Sequence, residues 1–160
     1  MRAVALMVAL AVAQVGYAPA TLGQTQSDLT GQLTGDWTCA MTPKVEGGAA
    51  GSGALGFKPD GTLEGRIQFS FEQDGDVIAL TVGFAGSWTL NGTQLQEDVA
   101  DSFLESATVN DASLPDDLLN DLRDATTEEL GGLAGVAEVA YVSPHALVLD
   151  ENEMAISCWR

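Results

Sequence analysis

Gly35-Asp36-Trp37-Thr38-Cys39-Ala40-Met41 and Met154-Ala155-Ile156-Ser157-Cys158-Trp159-Arg160 decide the reading of this sequence. Each is a short β-type run carrying one Trp and one Cys, and the 160 residues contain no other cysteine. The simplest arrangement makes the two runs neighbours, the first and last strands of one sheet, stapled by a Cys39–Cys158 disulfide. An even pair of cysteines in an exported chain reads as a disulfide. A metal pair would need partners, which a single histidine (His145) and the lack of any Cys-x-x-Cys do not supply. No metal and no other cofactor are expected.

Export is read from residues 1–20. Met1-Arg2 is a short positive start, Ala3 to Ala13 is an apolar run too short to span a bilayer as a helix, and Ala18-Pro19-Ala20 is a small-x-small cleavage site. That is the pattern of a secretory signal peptide, pointing to a bacterial periplasmic or secreted protein. The expected partition is a signal peptide at 1–20, a flexible polar lead-in at 21–34 with Leu33 as its first buried residue, and a single β-barrel-like domain at 35–160. The roughly 140 residues of the chain left after cleavage are one domain's worth, enough to enclose a core.

Charge narrows the partners. Twenty-three acids stand against six bases, a formal net charge of −17. Such a surface repels nucleic acid and anionic membranes and attracts a basic protein or cations. Neither nucleic acid nor, after signal cleavage, a membrane is expected as a partner. The same charge favours solubility, and a monomer is expected.

Strands follow one another along the chain. Asp36 to Met41 is the first, and Pro43 ends it. The Gly/Ala/Ser-rich stretch from Val45 to Gly53 is expected to be a mobile loop or weak edge, followed by a short strand at Ala54-Leu55-Gly56-Phe57. Lys58-Pro59-Asp60-Gly61 is a tight turn. Thr62 to Glu72 alternates Leu63, Gly65, Ile67, Phe69 and Phe71 with polar residues, the period of a strand with one buried face. Asp74-Gly75 turns the chain into Val77 to Phe84, Ala85-Gly86 breaks or bulges it, and Ser87-Trp88-Thr89-Leu90 runs to a hairpin turn at Asn91-Gly92, with Thr93-Gln94-Leu95-Gln96 starting the return strand. From Glu97 to Glu129 acids crowd around one base, Arg123, and an acidic helical insertion is expected at about 98–131. Ser113-Leu114-Pro115-Asp116-Asp117 is a helix start: a cap, a first-turn proline and acids at the positive end of the dipole. Leu114, Leu118, Leu119 and Leu122 form one apolar face. Thr126-Thr127-Glu128-Glu129 reads as a capping box opening a second short turn that ends at Gly131-Gly132. Three more strands are expected, at Val136 to Val142, Ala146 to Leu149 and Met154 to Trp159, with Ser143-Pro144-His145 and Asp150 to Glu153 turning between them.

A Gly-x-Trp in the first strand (Gly35-Asp36-Trp37), an up-and-down meander, and a first-strand Cys matched by one at the end resemble the lipocalin-like, or calycin, barrels. The resemblance covers the β-rich parts, extending to Gly86-Ser87-Trp88-Thr89-Leu90-Asn91-Gly92 and the closing Ile156-Ser157-Cys158-Trp159-Arg160, which look like segments of small exported bacterial proteins of that type. It implies a mainly β fold, an antiparallel meander closing into a small lipocalin-like barrel. The acidic helical insertion precedes the last three strands, whereas lipocalins place their helix after the barrel. An open antiparallel sheet packed on the helix is the alternative.

Catalytic sets are not persuasive. Ser143 and His145 share one tight turn, where two side chains rarely meet, and no nucleophile-elbow motif is present. Asp116-Asp117 and Glu128-Glu129 are accounted for by helix dipoles. Asp74-Gly75-Asp76 is too short for a calcium loop, and no phosphate-cradling glycine loop exists. The sequence therefore reads as a non-enzyme that binds a small apolar or amphipathic ligand inside its barrel. Trp37, Phe69, Phe71, Phe84, Trp88 and Trp159 are the pocket candidates, since a barrel of eight strands either fills with side chains or holds one small ligand. The other reading is an acidic interaction module, an inhibitor or docking partner of a basic envelope protein, presenting Asp116, Asp117, Asp121, Asp124, Glu128 and Glu129.

Overall fold

The computed structural model describes residues 25–46, 48–130 and 134–160, with residues 125–130 as backbone only. The signal peptide expected at 1–20, the start of the lead-in and the Gly131-Gly132 stop lie outside the described residues. Among those described, the order is α1 (Gln26–Leu33), β1 (Gly35–Pro43), β2 (Ala50–Phe57), β3 (Thr62–Gln73), β4 (Asp76–Asn91), β5 (Gln94–Val109), β6 (Ala112–Ser113), α2 (Asp116–Leu130), β7 (Ala134–Val142), β8 (Ala146–Asp150) and β9 (Met154–Trp159).

Eight of the strands pair antiparallel around a ring. Neighbours run β1–β2–β3–β4–β5–β7–β8–β9, and β9 pairs back onto β1, so the sheet closes and the open-sheet alternative is excluded. Closure follows from the two cysteine runs, where Cys39 stands directly opposite Cys158 and the two are disulfide-bonded. Both cysteines are buried on the inward face with Trp37, Met41 and Ile156.

Four expectations need correction. The lead-in is not flexible throughout: Thr25 to Asp28 forms a capping box and the chain runs on as helix α1, burying Leu29 and Leu33. Leu33 is buried as the sequence suggested, and a Thr-x-x-Asp cap inside a polar stretch is what the composition concealed. The glycine-rich loop is shorter than expected, because Ala50 to Gly53 belongs to β2, an interior strand paired on both sides. Small residues are used there for approach: a Cβ at Gly53 would collide with the β3 backbone at Arg66 and Ile67. The insertion is not helical from 98, since β5 continues to Val109 and only Asp116 to Leu130 is helix. Helix α2 then runs unbroken through residues 126–129, so no second helix begins there. The Ser-Leu-Pro-Asp-Asp start and the placement of a helix before the last three strands are as the sequence indicates.

The turns obey their chemistry. Asp74 and Gly75 both have positive φ, 53° and 87°, the two-residue turn whose twist suits a hairpin. Asn110 and Asp111 do the same at 50° and 66° between β5 and β6. At the β4–β5 hairpin Asn91 pairs with Gln94, so Gly92 and Thr93 turn the chain, one residue later than Asn91-Gly92 suggests.

The ring is uneven. β7 pairs only with Gln94 to Asp98 of β5, and β6 only with Thr108 and Val109. Between them β5 has β4 on one side and, among the described residues, no strand on the other. Helix α2 and the residues leading into it pack there: Leu114, before the helix, and Leu119 and Leu122 on it cover Val82, Leu104 and Ala107, a second small core apart from the main one. Arg123 of α2 donates to the edge carbonyls of Leu104 (3.1 Å) and Glu105 (3.4 Å).

Candidate functional site

The two ends of the barrel differ. At the α1 end the interior is filled. Leu33, Trp37, Phe57, Leu63, Trp88, Leu95 and Leu147 are all buried. Buried indoles keep their N–H satisfied: Trp37 Nε1 donates to the Leu33 carbonyl at 2.8 Å and Trp88 Nε1 to the Lys58 carbonyl at 3.0 Å. Phe57 meets Trp88 edge to face, with ring centroids 5.5 Å apart. Arg160 seals the rim, with its guanidinium 4.0 Å above the Trp37 ring and donating to the carbonyls of Gln32, Thr34 and Pro144. The Gln26 side chain bonds to the Leu90 carbonyl and to the Gly92 N–H.

The opposite end is looser. Phe69, Phe71, Phe84 and Met154 lie on the inward face but remain partly accessible. Strand register places Gly65, Ile67, Phe69 and Phe71 of β3 opposite Phe84, Val82, Leu80 and Ile78 of β4, all on that face. The Phe84 ring lies across Gly65, where a Cβ would strike it. A residue without a side chain there gives the aromatic ring its resting place.

The pocket candidates therefore separate into three groups. Trp37 and Trp88 belong to the filled end. Phe69, Phe71 and Phe84 line the partly accessible part of the same interior, Phe69 and Phe84 packing against the core that holds Trp37 and Trp88. Trp159 stands on the outer surface, 51% exposed, and does not line the interior, because its neighbour Cys158 takes the inward position and strand alternation turns Trp159 out. It borders a groove of about 370 Å³ with Thr38, Ser52, Gly53, Ala54 and Arg66. Of the interaction-face candidates, Asp116, Asp117, Asp121 and Asp124 are exposed on α2, while the side chains of Glu128 and Glu129 lie outside the described residues. Leu118 departs from the expected apolar face and is 50% exposed. Ser143 Oγ is occupied with its own turn, accepting from the Ala146 N–H at 3.1 Å.

One residue of this interior was not picked out from the sequence. Glu97 lies opposite Trp88 on β4 and opposite Gly135 on β7, so it shares the inward face of Trp88 and Leu95. The residue keeps some accessibility, but its Oε1 is sealed from solvent and has no hydrogen-bond partner among the described residues. Burial pushes the Glu97 carboxyl up to about 7, with the Glu151 carboxylate adding to the shift. Burial also raises Glu151, opposed by the Lys44 ammonium, which pairs with Asp150 and donates to the Glu151 carbonyl. The hairpin signal alone pointed elsewhere: a turn at Asn91-Gly92 would set Trp88 against Leu95, and the observed turn, one residue later, sets it against Glu97.

Eight antiparallel strands in up-and-down order, closed on themselves, define a lipocalin-like small β-barrel. No protein-family model matches the sequence, and neither does any curated protein. Solved structures with a similar course of the chain include a lipocalin-like protein from Bacteroides uniformis, 14% identical with a TM-score of 0.42, over 81% of this chain and 98% of that one. A redesigned β-barrel, mFAP1, bound to DFHBI is 17% identical with a TM-score of 0.41, over 82% and 97%. An uncharacterized protein from Bacteroides eggerthii is 12% identical with a TM-score of 0.38, over 79% and 98%.

Proposed function

We propose that this is an exported, non-catalytic barrel that holds a small apolar or amphipathic molecule at its looser end, between Phe69, Phe71, Phe84 and helix α2. The observation that carries the reading is the contrast along one inward face: large apolar side chains are sealed at the α1 end and accessible at the other. A barrel of eight strands has room for one small ligand once one end is filled. Native mass spectrometry of the protein purified from its own cells tests this. A small-molecule mass that is lost on denaturation is the expected result. A bare mass, combined with salt-sensitive capture of a basic protein, would favour the second reading, in which the exposed Asp116, Asp117, Asp121 and Asp124 of α2 form a docking face.

A further inference from the structure

Resting on that reading of the barrel, we propose that the bound molecule is a basic amphiphile, an apolar body carrying an amine, and that the Glu97 carboxylate is its anchor.

Three observations converge on Glu97. Its side chain faces the interior, on the same face as Trp88 and Leu95. Its Oε1 is shielded from water and has no donor among the described residues. Buried polar atoms in folded proteins nearly always have a partner, and a lone one calls for a reason. The third is room. Gly135 stands opposite Glu97 on β7, and a Cβ built on it would meet no heavy atom of the described residues within 4 Å. Among the described residues, space therefore adjoins an acceptor that lacks a donor.

The surroundings fix the sign of the ligand group. Glu151 adds a second acid near Glu97, while Lys44 is engaged with Asp150 and the Glu151 carbonyl. An anion would meet repulsion, and a neutral hydroxyl could donate to the acceptor without answering its charge. An ammonium supplies both charge and donors, and charge-assisted hydrogen bonds are the strong ones. The apolar remainder would lie towards Phe69 and Phe84, further along the same face. The chain's net charge of −17 adds a long-range attraction for cations.

Displacement of a neutral fluorescent probe, N-phenyl-1-naphthylamine, tests this, with decylamine, decanol and decanoate as competitors of equal chain length. The wild-type protein is expected to bind the probe and to prefer decylamine over decanol by about tenfold or more, the range of one hydrogen bond to a charged group, with decanoate weakest. Glu97→Gln, close in size to the original, is expected to keep the probe and lose the preference. Asp117→Asn, which removes the same charge from the exposed face of α2, is expected to keep it. Probe binding with decylamine and decanol equal in the wild-type protein overturns this inference and leaves the barrel reading standing. A preference that survives in Glu97→Gln assigns it to the general acidity of the protein and also overturns it. No probe binding at all overturns the barrel reading and this inference with it. A wild-type preference that disappears at about 0.5 M salt likewise assigns it to general acidity and overturns the inference, so the ranking in salt decides the matter even where a variant does not fold.

Discussion

Cys39 and Cys158 are directly opposed across the β1–β9 pair, and their disulfide lies on the inner face of the barrel at the seam where the ring closes. The bond spans 119 residues of sequence. Constraining a loop of that length in the unfolded chain stabilises by about 4 to 5 kcal/mol in the chain-entropy account. The Cys39→Ser, Cys158→Ser double variant is expected to lose a stability of that order in urea unfolding. An unchanged midpoint would show that the ladder alone holds the seam.

Glu97 gives stability a pH dependence opposite to that of an ordinary paired acid. Its folded pKa is about 7 against an ordinary 4.5, so between those values the folded protein holds a proton that the unfolded chain has released. The native state is therefore favoured at the acidic end of this window, and up to about 3 kcal/mol is lost as pH rises through 7. Glu151 contributes in the same direction, and Lys44 opposes it through Glu151. Asp28 and Asp60, whose pKa values are lowered by hydrogen bonds to Thr25 and Thr62, act only below the usual carboxylate range. Urea midpoints at pH 5.5 and pH 8 should show greater stability at pH 5.5, and Glu97→Gln should flatten most of the difference.

Arg160 holds the α1 end together through three carbonyls and one indole. Arg160→Ala should cost about 2 kcal/mol, combining a cation–π contact with hydrogen bonds from a charged group. Arg160→Lys should recover only a minor part, because an ammonium cannot span the same carbonyls as a planar guanidinium. Thermal melting measures both, and Trp37 fluorescence reports the opened rim.

Leu118 and Leu122 sit four residues apart on α2 with different neighbours. Leu122 packs on the small second core, whereas Leu118 is exposed. Leu118→Glu should change stability by less than about 0.5 kcal/mol. Leu122→Glu should release the helix from β5, with faster amide exchange in residues 116–124 and little change around Trp37. Equal exchange in the two variants would contradict the packing.

The barrel was legible where the sequence signals were local and mutually consistent. Alternation from Leu63 to Phe71, the Asp74-Gly75 turn and the two cysteine runs each demand the observed structure with few alternatives. The missed features share a different cause. Asp98, Asp101 and Glu105 made β5 from about residue 98 read as helix, because the acids of an outward strand face and those of a helix surface look alike in composition. Asn110-Asp111, a hairpin turn in its own right, was the available correction. The glycines from 47 to 53 suggested mobility, although Gly53 serves close packing against β3. Only three of the six aromatic pocket candidates line the partly accessible part of the interior, because alternation assigns each a face while depth along the barrel depends on register with distant strands. Glu97 went unnoticed for the same reason.

The length of β5 beyond β7 has a consequence for how copies of this molecule meet. A fully closed ring offers no free backbone to another chain, but one stretch of β5 here has, among the described residues, no strand beside it on one side. Among the described residues, the Arg123 guanidinium of α2 takes the carbonyls of Leu104 and Glu105 and the Leu114 N–H takes that of Ala107, acceptors that an added strand would otherwise use. Loosening α2 would release those acceptors to another copy, so self-association is expected to precede unfolding.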